Sequence, residues 1–233
     1  MIGFYDYSVW LTYASLLSAT MGVMVCLKGV GHPFYGMFFL LFCGLCDTFD
    51  GAVARMKKDR TPMENQFGIQ IDSLSDLVAF GVLPACIGIA MLRVNERLTD
   101  IPVLVVSPGT KRILYPILLT GIVLFYALAA LIRLAYFNVS EEERQRTEGG
   151  KRKFYQGLPV TSSALIFPTV LMVEFILKRD LTLVYFAVML LVGILFITPF
   201  QLRKPGKRGI AIMLGLGVIE FVVLIVIRSR MVG

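Results

Sequence analysis

Four aspartates, Asp47, Asp50, Asp72 and Asp76, are the residues of this chain best placed by type and spacing to do chemistry. Asp47, Asp50, Gly51 and Ala54 are spaced 0, 3, 4 and 7 and share one face of a helix. Gly68, Asp72 and Asp76 recur every fourth residue and share a face of the next. Two carboxylates on each of two helix ends make a hard oxygen-donor set of the kind Mg²⁺ or Mn²⁺ takes. Gly51, Ala54 and Gly68 leave room for a ligand to approach the backbone. An uncompensated aspartate at a bilayer centre costs about 2.5 to 3.5 kcal/mol on insertion scales, so four of them beside apolar segments need metal, water or basic partners. Four carboxylates that simply face water are the plainer explanation; the shared face on both helices weighs against it.

The elements that must position these residues are membrane helices. The 233 residues are 57% hydrophobic with mean hydropathy +0.76, too apolar for a soluble domain. A span needs about 20 mainly apolar residues, and seven are expected, at 8–28, 34–55, 68–92, 113–137, 159–178, 181–200 and 209–228. No cleavable signal peptide is expected. Met56–Phe67 reads as a polar hairpin, and 95–111, with Pro102, Pro108 and Gly109, as an irregular connection on the opposite side. Pro84 should kink the third span. Ser140–Lys153, highly charged with a glycine pair, reads as a mobile loop. Thirteen Lys and Arg fall in the loops on the side of the aspartates and nine in those opposite. That bias puts the aspartates and the N-terminus in the cytoplasm, with the C-terminus outside.

Charge excludes little else. The net +7 is explained by basic cytoplasmic loops, which attract anionic lipid headgroups; no interleaving of aromatic and basic residues suggests a nucleic-acid groove. Cys43 and Cys46 have CxxC spacing inside an apolar helix with no second pair nearby, so neither zinc nor redox chemistry is expected of them. His32, the single histidine, falls on the membrane side opposite the aspartates and is discarded as a catalyst. The hydroxyls of Thr12, Ser15, Ser18 and Thr20 read as helix-packing groups. Met1–Tyr7 reads as an interfacial segment anchored by Trp10.

The run Asp47-x2-Asp50-Gly51-x2-Ala54-Arg55, followed by Gly68-x3-Asp72-x3-Asp76, resembles the signature of the CDP-alcohol phosphotransferases. Every signature residue is present; twelve residues separate Arg55 from Gly68, where the family usually has about eight or nine. Three further pieces, Phe80-Gly81-x2-Pro84-Ala85, Arg133-Leu134-Ala135-x-Phe137-Asn138 and Phe154-x2-Gly157-Leu158-Pro159, resemble the phosphatidylserine synthase branch, with Tyr136 where an arginine is common. The resemblance covers about residues 8–165, implying a catalytic core there within a single membrane domain of residues 1–233, and C-terminal spans over 166–233. The fold class expected is an all-α polytopic bundle, a six-helix family core with an additional C-terminal helix.

The resemblance implies a homodimer in the cytoplasmic membrane that moves a phosphatidyl group from CDP-diacylglycerol to the hydroxyl of L-serine and releases CMP. It implies two Mg²⁺ or Mn²⁺ ions held by Asp47, Asp50 and Asp72, with Asp76 taking the hydroxyl proton and contributing to the metal set. Donor contacts would come from Asp47, Gly51, Ala54, Arg55 and Gly68, and acceptor or phosphate contacts from Arg133, Asn138, Gly157 and Pro159, with 154–159 as a lid. Two other readings compete. Inositol phosphate, glycerol phosphate or choline could replace serine, although phosphate acceptors need several convergent basic residues. A cation transporter could use the aspartates as an ion path, although its acids should be spread through the bilayer depth. Glu174 and Glu220, inside the later spans, read as packing or dimer contacts.

Overall fold

The computed structural model describes residues 2–28, 33–94, 114–147, 154–203 and 206–232. His32 and the connection at 95–111 lie outside the described residues. Helix α1 (Trp10–Lys28) is followed by α2 (Phe34–Ala54) and α3 (Pro62–Asp76). A π-helical turn (Leu77–Val82) then leads into α4 (Leu83–Val94). The remainder is α5 (Leu114–Thr147), strand β1 (Phe154–Gln156), a 3₁₀ turn (Val160–Ser162), α6 (Ser163–Leu177), α7 (Thr182–Ile197), strand β2 (Gln201–Arg203) and α8 (Lys207–Val232). Six of the helical stretches are long and apolar enough to cross a membrane, and α7, with 16 residues, is a shorter apolar helix. The protein is an integral membrane helix bundle, as its composition requires. The exception to all-α is one antiparallel pair, β1 with β2, in the register Phe154–Arg203 and Gln156–Gln201.

Two boundaries differ from the sequence expectation. The polar stretch before Gly68 is a helix from Pro62 onward. Thr61 accepts the Glu64 N–H, Glu64 accepts the Thr61 N–H, and Pro62 occupies the first turn; this capping box is written in Thr61-Pro62-Met63-Glu64. The charged stretch after Asn138 is also helical, to Thr147. It is supported by Arg144–Glu141 and Arg146–Glu142 ion pairs one turn apart. Only 148–153 of the expected loop lie outside the described residues.

The core is aromatic. Tyr126 of α5, Phe167 of α6 and Tyr185, Phe186 and Phe196 of α7 are fully buried, with Phe167 4.9 Å from Tyr185 and 5.6 Å from Tyr126, centroid to centroid. At its centre, Pro84 has no N–H to offer the Phe80 carbonyl one turn back. That carbonyl instead accepts from Tyr126 Oη at 2.6 Å and Ser163 Oγ at 3.4 Å, while the Pro84 carbonyl accepts from Tyr185 Oη at 2.8 Å. The expected distortion at Pro84 thus takes the form of a π turn just before it, and α3 and α4 run on as one helical rod. Glycines let the early helices approach: a Cβ on Gly36 would lie 2.7 Å from Ile87 and 2.8 Å from Cys26. Of the α1 hydroxyls expected to serve packing, that of Ser18 bonds another helix, Thr20 bonds the Leu16 carbonyl of its own helix, and Thr12 contributes its carbonyl. Ser18 Oγ donates to the Phe39 carbonyl, and the Thr12 carbonyl accepts from Ser75 Oγ.

Candidate active site

The C-terminal third of α2 and the C-terminal two thirds of α3 carry the signature. Helix α1 packs against both, whereas α2 and α3 share little backbone contact with each other. The two helices therefore open a gap, and the acids face one another across it. Asp50 and Asp72 are within hydrogen-bonding reach of each other. Asp47 lies close enough to Asp72 for their charges to interact, and Asp76 feels all three others. Asp76 is the deepest, 8% exposed, while Asp47, Asp50 and Asp72 are half-buried. Asp50 also accepts the Gly51 N–H.

Among the described residues none of the four is ion-paired with Lys or Arg, and no three His, Cys, Asp or Glu side chains form a closed ligand cluster. Carboxylates brought this close without a basic partner, in an apolar bundle, are relieved by protonation or by a cation. An all-carboxylate donor set suits a hard divalent ion such as Mg²⁺ or Mn²⁺, so the residues present fit the group the sequence implied.

Around the gap the signature's smaller members are half-buried: Gly51 and Ala54 on α2, Gly68 on α3. Arg55 is exposed and folds back so that its Nη1 lies 3.2 Å from where a Gly51 Cβ would sit. The mirror arrangement on α3 was missed in the sequence: Arg60 Nη2 lies 3.2 Å from a Cβ position on Gly68.

The acceptor-side residues form a connected layer. Asn138 Nδ2 donates to Ser73 Oγ at 2.7 Å, tying α5 to the residue after Asp72. Arg133 is 5% exposed, so it does not reach out to a headgroup region; its Nε donates to the Leu158 carbonyl at 3.1 Å and its guanidinium stacks 5.5 Å from the Phe137 ring. Tyr136 Oη donates to Gln156 Oε1 at 2.9 Å. Gly157 has φ +75, and its N–H reaches the Phe200 carbonyl at 2.7 Å. A Cβ there would lie 3.1 Å from the Thr198 carbonyl, so only glycine turns this corner freely. Pro159 follows, half-buried, as the lead-in to α6. The 154–159 segment is thus pinned to β2 and the end of α7. This pairing with 201–203 had no signal in the sequence, since two three-residue strands have no measurable periodicity.

A cleft of about 370 Å³ adjoins the gap, lined by Leu41, Leu45, Asp47 and Thr48 of α2, Ala164 and Leu165 of α6, and Ile210, Met213, Leu214, Gly217 and Phe221 of α8. It is apolar except at Asp47, Thr48 and Thr161. The lining by α8 was also not foreseen. Of the two acids in the later spans, Glu220 is buried and accepts from Thr169 Oγ1, bonding α8 to α6.

Comparison with known proteins fits this arrangement. Residues 7–200 match the sequence model of the CDP-alcohol phosphatidyltransferases. The chain is similar to the CDP-diacylglycerol–serine O-phosphatidyltransferase of Saccharomyces cerevisiae, 31% identical over 164 residues, 67% of this chain and 50% of the yeast protein. It thus spans about half the length of that relative. It is also similar to the archaetidylserine synthase of Methanothermobacter thermautotrophicus, 28% identical over 84% of this chain and 70% of that one. A third relative is the CDP-diacylglycerol–serine O-phosphatidyltransferase of Helicobacter pylori, 24% identical over 91% of this chain and 78% of that one. With its four opposed aspartates on adjoining helix ends and the match running through both, the chain belongs to the CDP-alcohol phosphatidyltransferase family.

Proposed function

We propose that the protein transfers a phosphatidyl group from CDP-diacylglycerol to the hydroxyl of L-serine, giving phosphatidylserine and CMP. The observation that carries the reading is the continuity of the apolar cleft with Asp47: a donor with a diphosphate head and acyl tails fits a site whose acids pass directly into an apolar channel. The names of the yeast and Helicobacter relatives support the same donor and acceptor.

In this reading the serine oxygen attacks the phosphorus that bears diacylglycerol. The bond from that phosphorus to the bridging oxygen breaks, and CMP leaves. Asp76, buried one turn beyond Asp72, takes the serine proton. Asp47, Asp50 and Asp72 would hold the divalent ions, which when bound screen the diphosphate and the charge developing on CMP. Gly51, Ala54 and Gly68 keep the helix faces flat for the nucleotide, with Arg55 at the rim. Leu41, Leu45, Leu214 and Phe221 exclude water along the acyl chain. The Asn138–Ser73 bond and the pinned 154–159 turn form the acceptor wall with Arg133 and Gly157. The basic loops support a site that opens to the cytoplasm at the cell membrane, and the family resemblance supports a homodimer.

The test is an acceptor screen in liposomes containing CDP-diacylglycerol with Mg²⁺ or Mn²⁺, following CMP and lipid product. L-serine should give both; inositol phosphate, glycerol phosphate and choline should not. Product with inositol phosphate and none with serine would overturn the acceptor, and metal-dependent ion flux without CMP would overturn the enzyme.

A further inference from the structure

Among the cations of the turn between α2 and α3, the fold treats Lys57 and Arg60 differently. Lys57 is doubly committed, 2.6 Å from Asp6 and 2.7 Å from Glu64. Arg60 is half-buried, and among the described residues it is ion-paired with no acid. Its Nη2 donates to the buried Ser8 Oγ at 2.9 Å, while its Nε is shielded from solvent with no hydrogen-bond partner. The guanidinium lies over Gly68, where a Cβ would come within 3.2 Å of Nη2 and 3.8 Å of Cζ. Gly68 is one turn before Asp72 on the face that carries the acids. The N-terminal segment holds this arrangement in place, through Ser8, the Asp6–Lys57 bridge and the edge-on contact of Phe4 with Phe67 at 5.2 Å.

A guanidinium with its Nε shielded from solvent and no counter-ion among the described residues is poised to take an anion, and a planar fork of donors suits a phosphate. We infer that Arg60, seated over Gly68 and held by Ser8, binds the diphosphate of the nucleotide donor. This rests on the proposed use of a CDP-linked donor and adds a residue from the chain's longer α2–α3 turn, outside the aspartate signature. Arg60 and Arg55 then flank the diphosphate from the two ends of the α2–α3 turn, each over a glycine.

The purified protein with Mn²⁺ is titrated with CDP and separately with cytidine, as wild type, Arg60→Gln, Arg60→Lys and Ser8→Ala. Loss of a charged hydrogen-bonded contact should weaken CDP by about ten- to hundredfold in Arg60→Gln and leave cytidine unchanged. Arg60→Lys, a point charge without the fork, should fall between, and Ser8→Ala should lose less than either. The KM for CDP-diacylglycerol should rise with the CDP constant while that for L-serine holds. CDP affinity within about twofold of wild type in Arg60→Gln overturns the inference, as does a rise in the serine KM alone, which would give Arg60 to the acceptor carboxylate. If Arg60→Gln is not monodisperse, Arg60→Lys decides: weaker CDP supports the inference and unchanged CDP overturns it. Wild type that binds CDP in an Arg60-dependent way but turns over no acceptor would sink the proposed reaction and leave this contact standing.

Discussion

Two neighbouring regions of one helical rod treat buried polar groups in opposite ways. At the π turn, the Phe80 carbonyl left over by Pro84 is taken by Tyr126 and Ser163, and the Pro84 carbonyl by Tyr185. One turn earlier, Asp72 and Asp76 face Asp47 and Asp50 with no basic partner among the described residues. A group satisfied within the fold rigidifies it; acids left facing one another have the arrangement that the proposed cation site requires. The same segment therefore supplies a fixed wall, the hub formed by α4, α5, α6 and α7, and an opening, the gap between α2 and α3.

The comparison breaks most sharply at the opening. Asp47→Asn, Asp50→Asn and Asp72→Asn should each reduce CMP release to background while the protein still inserts and purifies, because each removes a ligand charge and no packing. Near-normal turnover in any two of them at modest metal concentration would return these acids to the role of solvated groups. Asp76→Asn should lose about 10² to 10⁴ in single-turnover rate, the usual worth of a positioned base, yet keep the donor bound. Donor binding lost in parallel would make Asp76 chiefly a metal ligand.

At the hub the expectation reverses. Tyr126→Phe and Tyr185→Phe should each cost about 0.5 to 1.5 kcal/mol by removing a buried hydrogen bond to a helix carbonyl. The cost should appear as a lower thermal midpoint in detergent, with turnover per folded molecule close to wild type. Lost turnover at unchanged midpoint would erase the distinction between wall and opening. The smallest effect belongs to the rim. Hydrogen bonds from Lys57 and then Ser8 lower the Asp6 carboxyl from its ordinary 3.8 to about 2. A carboxyl lowered on folding stabilises the folded state above its unfolded value and loses that contribution as pH falls toward about 2. Asp6→Asn should thus lower the midpoint slightly and equally from pH 5 to pH 8, with the difference from wild type vanishing as pH falls from 4 to 2. A difference that grows on acidification would show that the bridge is not the cause.

Much of the site was legible because its information is local. The spacings 0, 3, 4 and 7 on one helix and 0, 4 and 8 on the next need only 3.6 residues per turn to align. Seven apolar stretches need only a membrane to become helices. Where expectation and structure part, the signal was present in two cases and absent in the rest. Thr61-Pro62-Met63-Glu64 announces a helix start, and the acid and arginine pairs of 141–146 announce a helix that continues, yet both stretches read as loop on charge alone.

The sequence by itself determined the membrane bundle, the two acid-bearing faces and their family, because periodicity and composition act within single elements. Only the tertiary structure decided that α8 lines the cleft beside Asp47, that Asn138 bonds Ser73, that 154–156 pairs with 201–203, and that among the described residues Lys57 has acid partners and Arg60 has none. Those facts join residues tens to more than a hundred positions apart, and packing alone, with no pattern along the chain, selects which of them meet.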